Sequence, residues 1–139
     1  MFFSAKEGLL TAIYMPKSDQ GNSSTILYTT KDGGQTWQSR APLQFQGIVD
    51  FTDAYNGWNW QWKASTMKEL YHTSDGGKTW TGIEPDQNLK HFLDQGLDVT
   101  ELDFIDDKIG WALLISNDGQ LVLLRTTDGG DSWSIVYPR

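Results

Sequence analysis

Apolar residues along the chain come in short runs, such as Ile26-Leu27-Tyr28, Leu70-Tyr71, Trp111-Ala112-Leu113-Leu114-Ile115 and Leu121-Val122-Leu123-Leu124. Clusters of Gly, Asp, Asn and Ser separate them. No stretch keeps the three-to-four-residue spacing of a long amphipathic helix. This pattern predicts an all-β fold of many short strands joined by tight turns. The segment Trp58-Asn59-Trp60-Gln61-Trp62-Lys63 alternates with period two, so a strand there puts three indoles on one face and Asn59 and Gln61 on the other. Trp111 to Ile115 is apolar at every position, which predicts a strand covered on both faces.

The turns repeat. Thr30-Lys31-Asp32-Gly33-Gly34-Gln35-Thr36-Trp37, Thr73-Ser74-Asp75-Gly76-Gly77-Lys78-Thr79-Trp80 and Thr126-Thr127-Asp128-Gly129-Gly130-Asp131-Ser132-Trp133 share the form T-x-D-G-G-x-[ST]-W. A second element, a Phe followed six positions later by Gly, recurs upstream as Phe2/Gly8, Phe51/Gly57 and Phe104/Gly110, with Trp58 and Trp111 after the last two glycines. Phe51 lies 24 positions before Asp75, and Phe104 lies 24 before Asp128; Phe2 lies 30 before Asp32. The six extra residues fall in the loop-like stretch Pro16 to Ser24. The linker after the second box is ten residues longer than the one after the first, around Glu84 to Asp98. A period of about 50 residues, with four strands in each unit, matches the blades of a β-propeller.

Each box carries its own chemistry. The Gly pair permits positive φ in a tight hairpin. The Asp carboxylate can accept from the turn's own amides. The Trp can bury a large ring between units. Asp32, Trp37, Asp75, Trp80, Asp128 and Trp133 are therefore expected to hold the fold and not a ligand. The boxes resemble the Asp-box, or BNR, repeat. Their coupling to F-x(5)-G-W is similar to the photosystem II assembly and stability factor-like branch of that superfamily, which also includes sialidase-like propellers. The resemblance implies a propeller and, for that branch, protein binding during assembly of a complex. The branch's basic patch has no counterpart in this acidic chain, so protein binding in general is expected and not a photosystem role.

Three units cannot close a propeller, which takes about four to eight blades. The expected domain is one partial propeller over residues 1–139, with three four-stranded blades at about 1–43, 44–86 and 99–139 and an insertion loop at 84–98. Phe2 lies where strand A of the first blade should end, so that strand is expected to be truncated. The arc is read either as half of a six-bladed ring made by a dimer or as part of a larger propeller.

Composition narrows the chemistry. Eleven Lys and Arg against 18 Asp and Glu give a net charge of −7, which argues against sequence-independent nucleic-acid binding and against an anionic membrane surface. No apolar run is long enough to span a bilayer, so membrane insertion is not expected. With no cysteine, disulfide scaffolds, thiolate metal sites and Cys nucleophiles are excluded. The first residues do not read as a secretion signal; the compartment stays open, with an extracellular or periplasmic one favoured. Arg40, Arg125 and Arg139 do not make the arginine triad that a sialidase-like site requires, and the early R-I-P motif of that family is missing. Asp50 and Asp103 occupy matching positions on inner strands, where they read as channel or capping carboxylates or, alternatively, as a glycosidase pair. His72 and His91 have no His partner at metal-ligand spacing, and no metal or other cofactor is expected. The Gly pairs belong to the boxes and give no nucleotide-binding loop.

Candidate ligand-binding residues are Trp60, Trp62 and Lys63 on the indole-rich strand, and His91 and Phe92 in the second insertion. Trp60 and Trp62 stand where other repeats have Leu113, Ile115, Thr11 and Ile13, so inter-blade packing competes with a platform for a sugar ring or apolar peptide. The insertions are expected on the face opposite the boxes. The expected function is a non-catalytic binding or scaffolding module, protein-binding first, with a carbohydrate-binding or glycosidase fragment as the alternative.

Overall fold

A computed structural model describes residues 1–14, 24–40, 43, 46–62 and 70–138. Their strands form three antiparallel meanders. The first sheet is β1 (Gly8–Tyr14), β2 (Ser24–Thr30) and β3 (Gln38–Ser39). The second is β4 (Gly47–Phe51), β5 (Gly57–Gln61), β6 (Leu70–Thr73) and β7 (Thr81–Ile83). A helix, α1 (Gln87–Asp94), leads to the third sheet: β8 (Leu97–Phe104), β9 (Gly110–Ser116), β10 (Leu121–Thr126) and β11 (Ser134–Tyr137). Lys63, all of the Pro16 to Ser24 insertion except Ser24, and Arg139 lie outside the described residues.

Among the described residues the first sheet has three strands, in line with a truncated strand A: Phe2 makes only an isolated bridge to Gly8, with Leu9 N–H donating to the Met1 carbonyl at 2.8 Å. Two expectations need correction. The second insertion is shorter than 84–98, because β8 already starts at Leu97 and absorbs a register shift between Val99 and Glu101. Finally, β9 is covered on one face only. Ala112 and Leu114 are buried, whereas Trp111 and Leu113 are half-exposed.

The Phe–Gly spacing has a geometric cause. Phe51 pairs with Gly57 and Phe104 with Gly110 across the β4–β5 and β8–β9 ladders. The Phe ring lies over the glycine, so a Cβ added at Gly57 would sit 2.5 Å from the ring of Phe51. The box Trp of the same sheet meets that Phe edge-on, with centroids 6.1 Å apart for Phe51–Trp80 and 6.2 Å for both Phe2–Trp37 and Phe104–Trp133. The two sequence motifs are thus one packing unit.

The core falls into two clusters. Leu9, Leu27, Leu43 and Phe51 join the first sheet to the second, with Phe3, Val49 and Trp80 packed against them. Trp58, Trp60, Leu70, Phe104, Leu114 and Trp133 are among those joining the second to the third. Helix α1 belongs to this second cluster. Asp86 caps it, accepting from Leu89 N–H at 2.9 Å, and its other carboxylate oxygen accepts from Trp133 N–H at 3.0 Å. Asn88 Nδ2 donates to the Trp133 carbonyl at 2.6 Å. Leu89 and Phe92, three positions apart, turn inward. After the helix, Gly96 adopts φ of 84° and returns the chain to β8.

Candidate functional site

The boxes share one set of hydrogen bonds, to which the second adds Lys78 N–H donating to Asp75 Oδ1 at 2.9 Å. In each, the Thr hydroxyl is a hub. Thr73 Oγ1 donates to Asp75 Oδ1 at 2.9 Å and accepts from Asp75 N–H at 3.3 Å and Gly77 N–H at 2.9 Å. The same carboxylate then accepts from Thr79 N–H at 2.9 Å and Thr79 Oγ1 at 2.6 Å. Thr30 with Asp32 and Thr126 with Asp128 repeat the arrangement. Both glycines of each pair have positive φ, 73° and 85° in the second box. These bonds hold Asp32 down to a pKa of about 2, the Thr36 hydroxyl and amide contributing most. Asp75 and Asp128 are lowered for the same reason, led by the hydroxyls of Thr79 and Ser132. Asp32, Asp75 and Asp128 are thus each engaged by their own turn. Burial of the box Trp is graded: Trp133 is buried, Trp80 half-buried and Trp37 exposed, because no described sheet packs on the outer side of the first.

The first glycine of a box also offers its carbonyl to the preceding sheet. Trp58 Nε1 donates to the Gly129 carbonyl at 2.9 Å, while its ring stacks on Phe104 at 3.8 Å and an interplanar angle of 2°. In the first sheet Leu9 stands where Trp58 does and has no side-chain N–H to give. There Arg40 Nη1 reaches the Gly76 carbonyl instead. Asp50 Oδ2 completes the second junction, accepting from Phe104 N–H at 2.7 Å. Burial raises the pKa of Asp50 against the pull of that bond, and the negative charge of Asp103 adds to the rise. Asp50 thus works as a tether between sheets.

The candidate binding residues separate. Trp60 is 3% exposed and Phe92 8%; both lie in the apolar cluster between the second and third sheets, so their rings pack the core and offer no platform to a ligand. Trp62, at the turn after β5, is 46% exposed. Its N–H donates to the Gln46 carbonyl at 2.9 Å, which fixes the backbone beneath the free indole. His91 is exposed on α1, where its Nε2 lies 2.9 Å from Gln95 Nε2. The alternation that singled out Trp60 was correct as a strand pattern, but it could not tell an inward face from an outward one.

Of the depressions among the described residues, two bear on the junctions between sheets and escaped the sequence reading. One of about 260 Å³ lies where the second sheet meets the third box, lined by Trp58, His72, Asp107 and Asp131 among others. Burial holds His72 below the ordinary imidazole range, against the attraction of Asp107. The other, also about 260 Å³, is on the outer face of the third sheet and is lined by Glu101, Asp103, Trp111, Leu113 and Leu123. The repeat register carried the signal for the second: these positions, Glu101 apart, match Asp50, Trp58, Trp60 and Leu70. Among the described residues no cluster of His, Asp and Glu could hold a metal ion, and no helix is long and apolar enough to cross a membrane.

Neither a protein-family model nor a curated protein matches the chain. Among solved structures it is similar to one described as YCF48 bound to D1 peptide, at 26% identity and a TM-score of 0.54. The match covers 97% of this chain and 37% of that one, so the chain spans a little over a third of that structure's length. With three sheets of three to four antiparallel strands, the similarity supports a propeller-type fold.

Proposed function

We propose that the chain is a non-catalytic binding module of the Asp-box propeller type, whose ligand is a peptide segment of another protein. The observation that carries this reading is the match over nearly the whole chain to a propeller captured with a peptide bound. The engaged state of the box carboxylates agrees with it, since these residues are committed to the turns. Trp62 is the proposed anchor: an exposed indole on a fixed backbone gives a large contact area at small entropic cost. His91, and Lys63 beside Trp62 in sequence, are proposed to flank it. The net charge of −7 favours peptides of neutral or positive charge.

Trp62 also motivates a second reading, in which the indole stacks on a sugar ring. Parallel peptide and glycan arrays, probed with the wild-type chain and Trp62→Ala, separate the two. Selective peptide binding, weakened about tenfold or more in the variant with unchanged melting temperature, supports the first reading. Selective glycan binding lost in the same variant replaces it with the second. Hydrolysis of a fluorogenic glycoside by the pure chain overturns the non-catalytic assignment.

A further inference from the structure

The groups that join the second sheet to the third recur, unmated, one repeat further on. Trp58, Trp60 and Leu70 are buried against the third sheet, with Asp50 and Trp58 supplying the polar bonds described above. The outer face of the third sheet presents Asp103, Trp111, Leu113 and Leu123 in the same register, lining an open depression. Even the cover of the indole is repeated. His72 lies against Trp58 at 4.7 Å, and the Arg125 guanidinium lies over Trp111 at 5.8 Å.

The complementary half of that junction is exposed at the other end of the chain. On the third sheet it consists of Phe104, Ala112, the Gly129 carbonyl and Trp133, all used. Their counterparts on the first sheet are Phe2, Leu10, Gly33 and Trp37. Phe2 is 58% exposed and Leu10 51%, whereas Phe104 and Ala112 are buried. Exposed apolar groups in this number mark an interface.

We infer that the outer face of the third sheet mates with the outer face of the first sheet of a second copy of this chain, and that two such junctions close a ring of six sheets. A second copy is the occupant because one chain carries both halves of the junction, in a register already seen mated between its own second and third sheets. The contact is head-to-tail, which closes only if the rotation per sheet permits it. In each junction the Trp111 indole stacks on Phe2 of the other copy and points its N–H at the Gly33 carbonyl, and Asp103 accepts from the Phe2 amide. Two copies of charge −7 repel, so association strengthens as salt rises. The inference rests on the propeller-type reading of the fold and is independent of peptide binding.

Light scattering behind size exclusion, on the chain as it stands, tests it. The expected result is a concentration-dependent species at twice 15.7 kDa, favoured when salt is raised to about 0.5 M. Leu10→Lys and Leu123→Glu, each altering one half of the junction, should both give monomers with unchanged far-UV circular dichroism. An equimolar mixture of the two variants should regain the dimer, since one of its junctions is native and the other pairs Lys with Glu. A wild-type monomer at every concentration and salt overturns the inference. So does a dimer that survives Leu10→Lys, which would place like faces together, and so does open-ended growth beyond two copies. If either variant fails to fold, the wild-type mass series and its salt dependence still decide, because they need no substitution.

Discussion

The hub role of the box threonine can be tested by removing one oxygen atom. Thr73→Val keeps the shape of the side chain and deletes the hydroxyl. It removes one bond to the Asp75 carboxylate and the acceptor used by Gly77 N–H and Asp75 N–H. Asp75 keeps its bonds from Lys78 N–H, Thr79 N–H and Thr79 Oγ1, so the carboxylate remains satisfied. The cost therefore falls on Gly77 N–H, left without its acceptor beside the buried Thr73 position, and on one charge-assisted bond. A buried group left unpaired costs about 1–3 kcal/mol, and the three lost bonds share one oxygen, so their losses do not add; about 2–3 kcal/mol is expected. At this chain length that is a fall of roughly 6–12 °C in melting temperature. Thr73→Ser keeps the hydroxyl and loses one methyl, worth about 1 kcal/mol. The assay is denaturant unfolding followed by tryptophan fluorescence. Thr30→Val and Thr126→Val provide internal replicates, because their hydroxyls make the same three bonds at nearly the same distances. If Thr73→Val is as stable as Thr73→Ser, the hydroxyl is not a hub and the account of the box is wrong.

Trp58→Phe keeps an aromatic ring over Phe104 but leaves the Gly129 carbonyl without its indole donor; a loss of about 1–3 kcal/mol is expected, against a smaller one for Trp111→Phe on the open face, both read by thermal melting of the monomer. The depressed Asp32, Asp75 and Asp128 bind protons less readily folded than unfolded. Their contribution to stability is thus complete above the ordinary carboxylate value of 3.8 and is lost as pH falls through their lowered folded values, about 2 for Asp32, which a series of melts downward from pH 5 should follow. Asp50 has the opposite sign: its raised pKa means the charged form is disfavoured in the fold, so its ionisation costs stability as pH rises past its folded value. Asp50→Asn keeps an oxygen for Phe104 N–H, and the melting temperature at neutral pH should stay level or rise; a clear fall would show that the charge itself is needed.

Much of the architecture was legible because repetition amplifies weak signals. One T-x-D-G-G-x-T-W is a turn; three in phase fix where strands begin and end, and β4 to β7 and β8 to β11 follow that parse. What repetition left out is the outcome at positions whose neighbours differ from one repeat to the next. Period two put Trp58, Trp60 and Trp62 on one side, but burial depends on what lies opposite. Trp60 is buried in the cluster it shares with α1 and the third sheet, whereas Trp62 is exposed. Phe92 read as an exposed insertion residue because the core it joins, which reaches from Trp58 to Trp133, is assembled by the fold and not by local sequence. The role of Asp86 was invisible because one carboxylate both caps its own helix and ties down the box Trp133, 47 residues later. The box threonine, by contrast, was readable in principle, since an invariant Thr two positions before an Asp is the spacing of a local hydroxyl–carboxylate bond.

The carbonyl of the first box glycine behaves as a socket. An indole plugs into it at one junction and a guanidinium at the next, from different strands and different places in the repeat. A socket made of backbone specifies where a donor must arrive and says little about which residue must bring it. Within this one chain, two junctions already meet that requirement with different side chains.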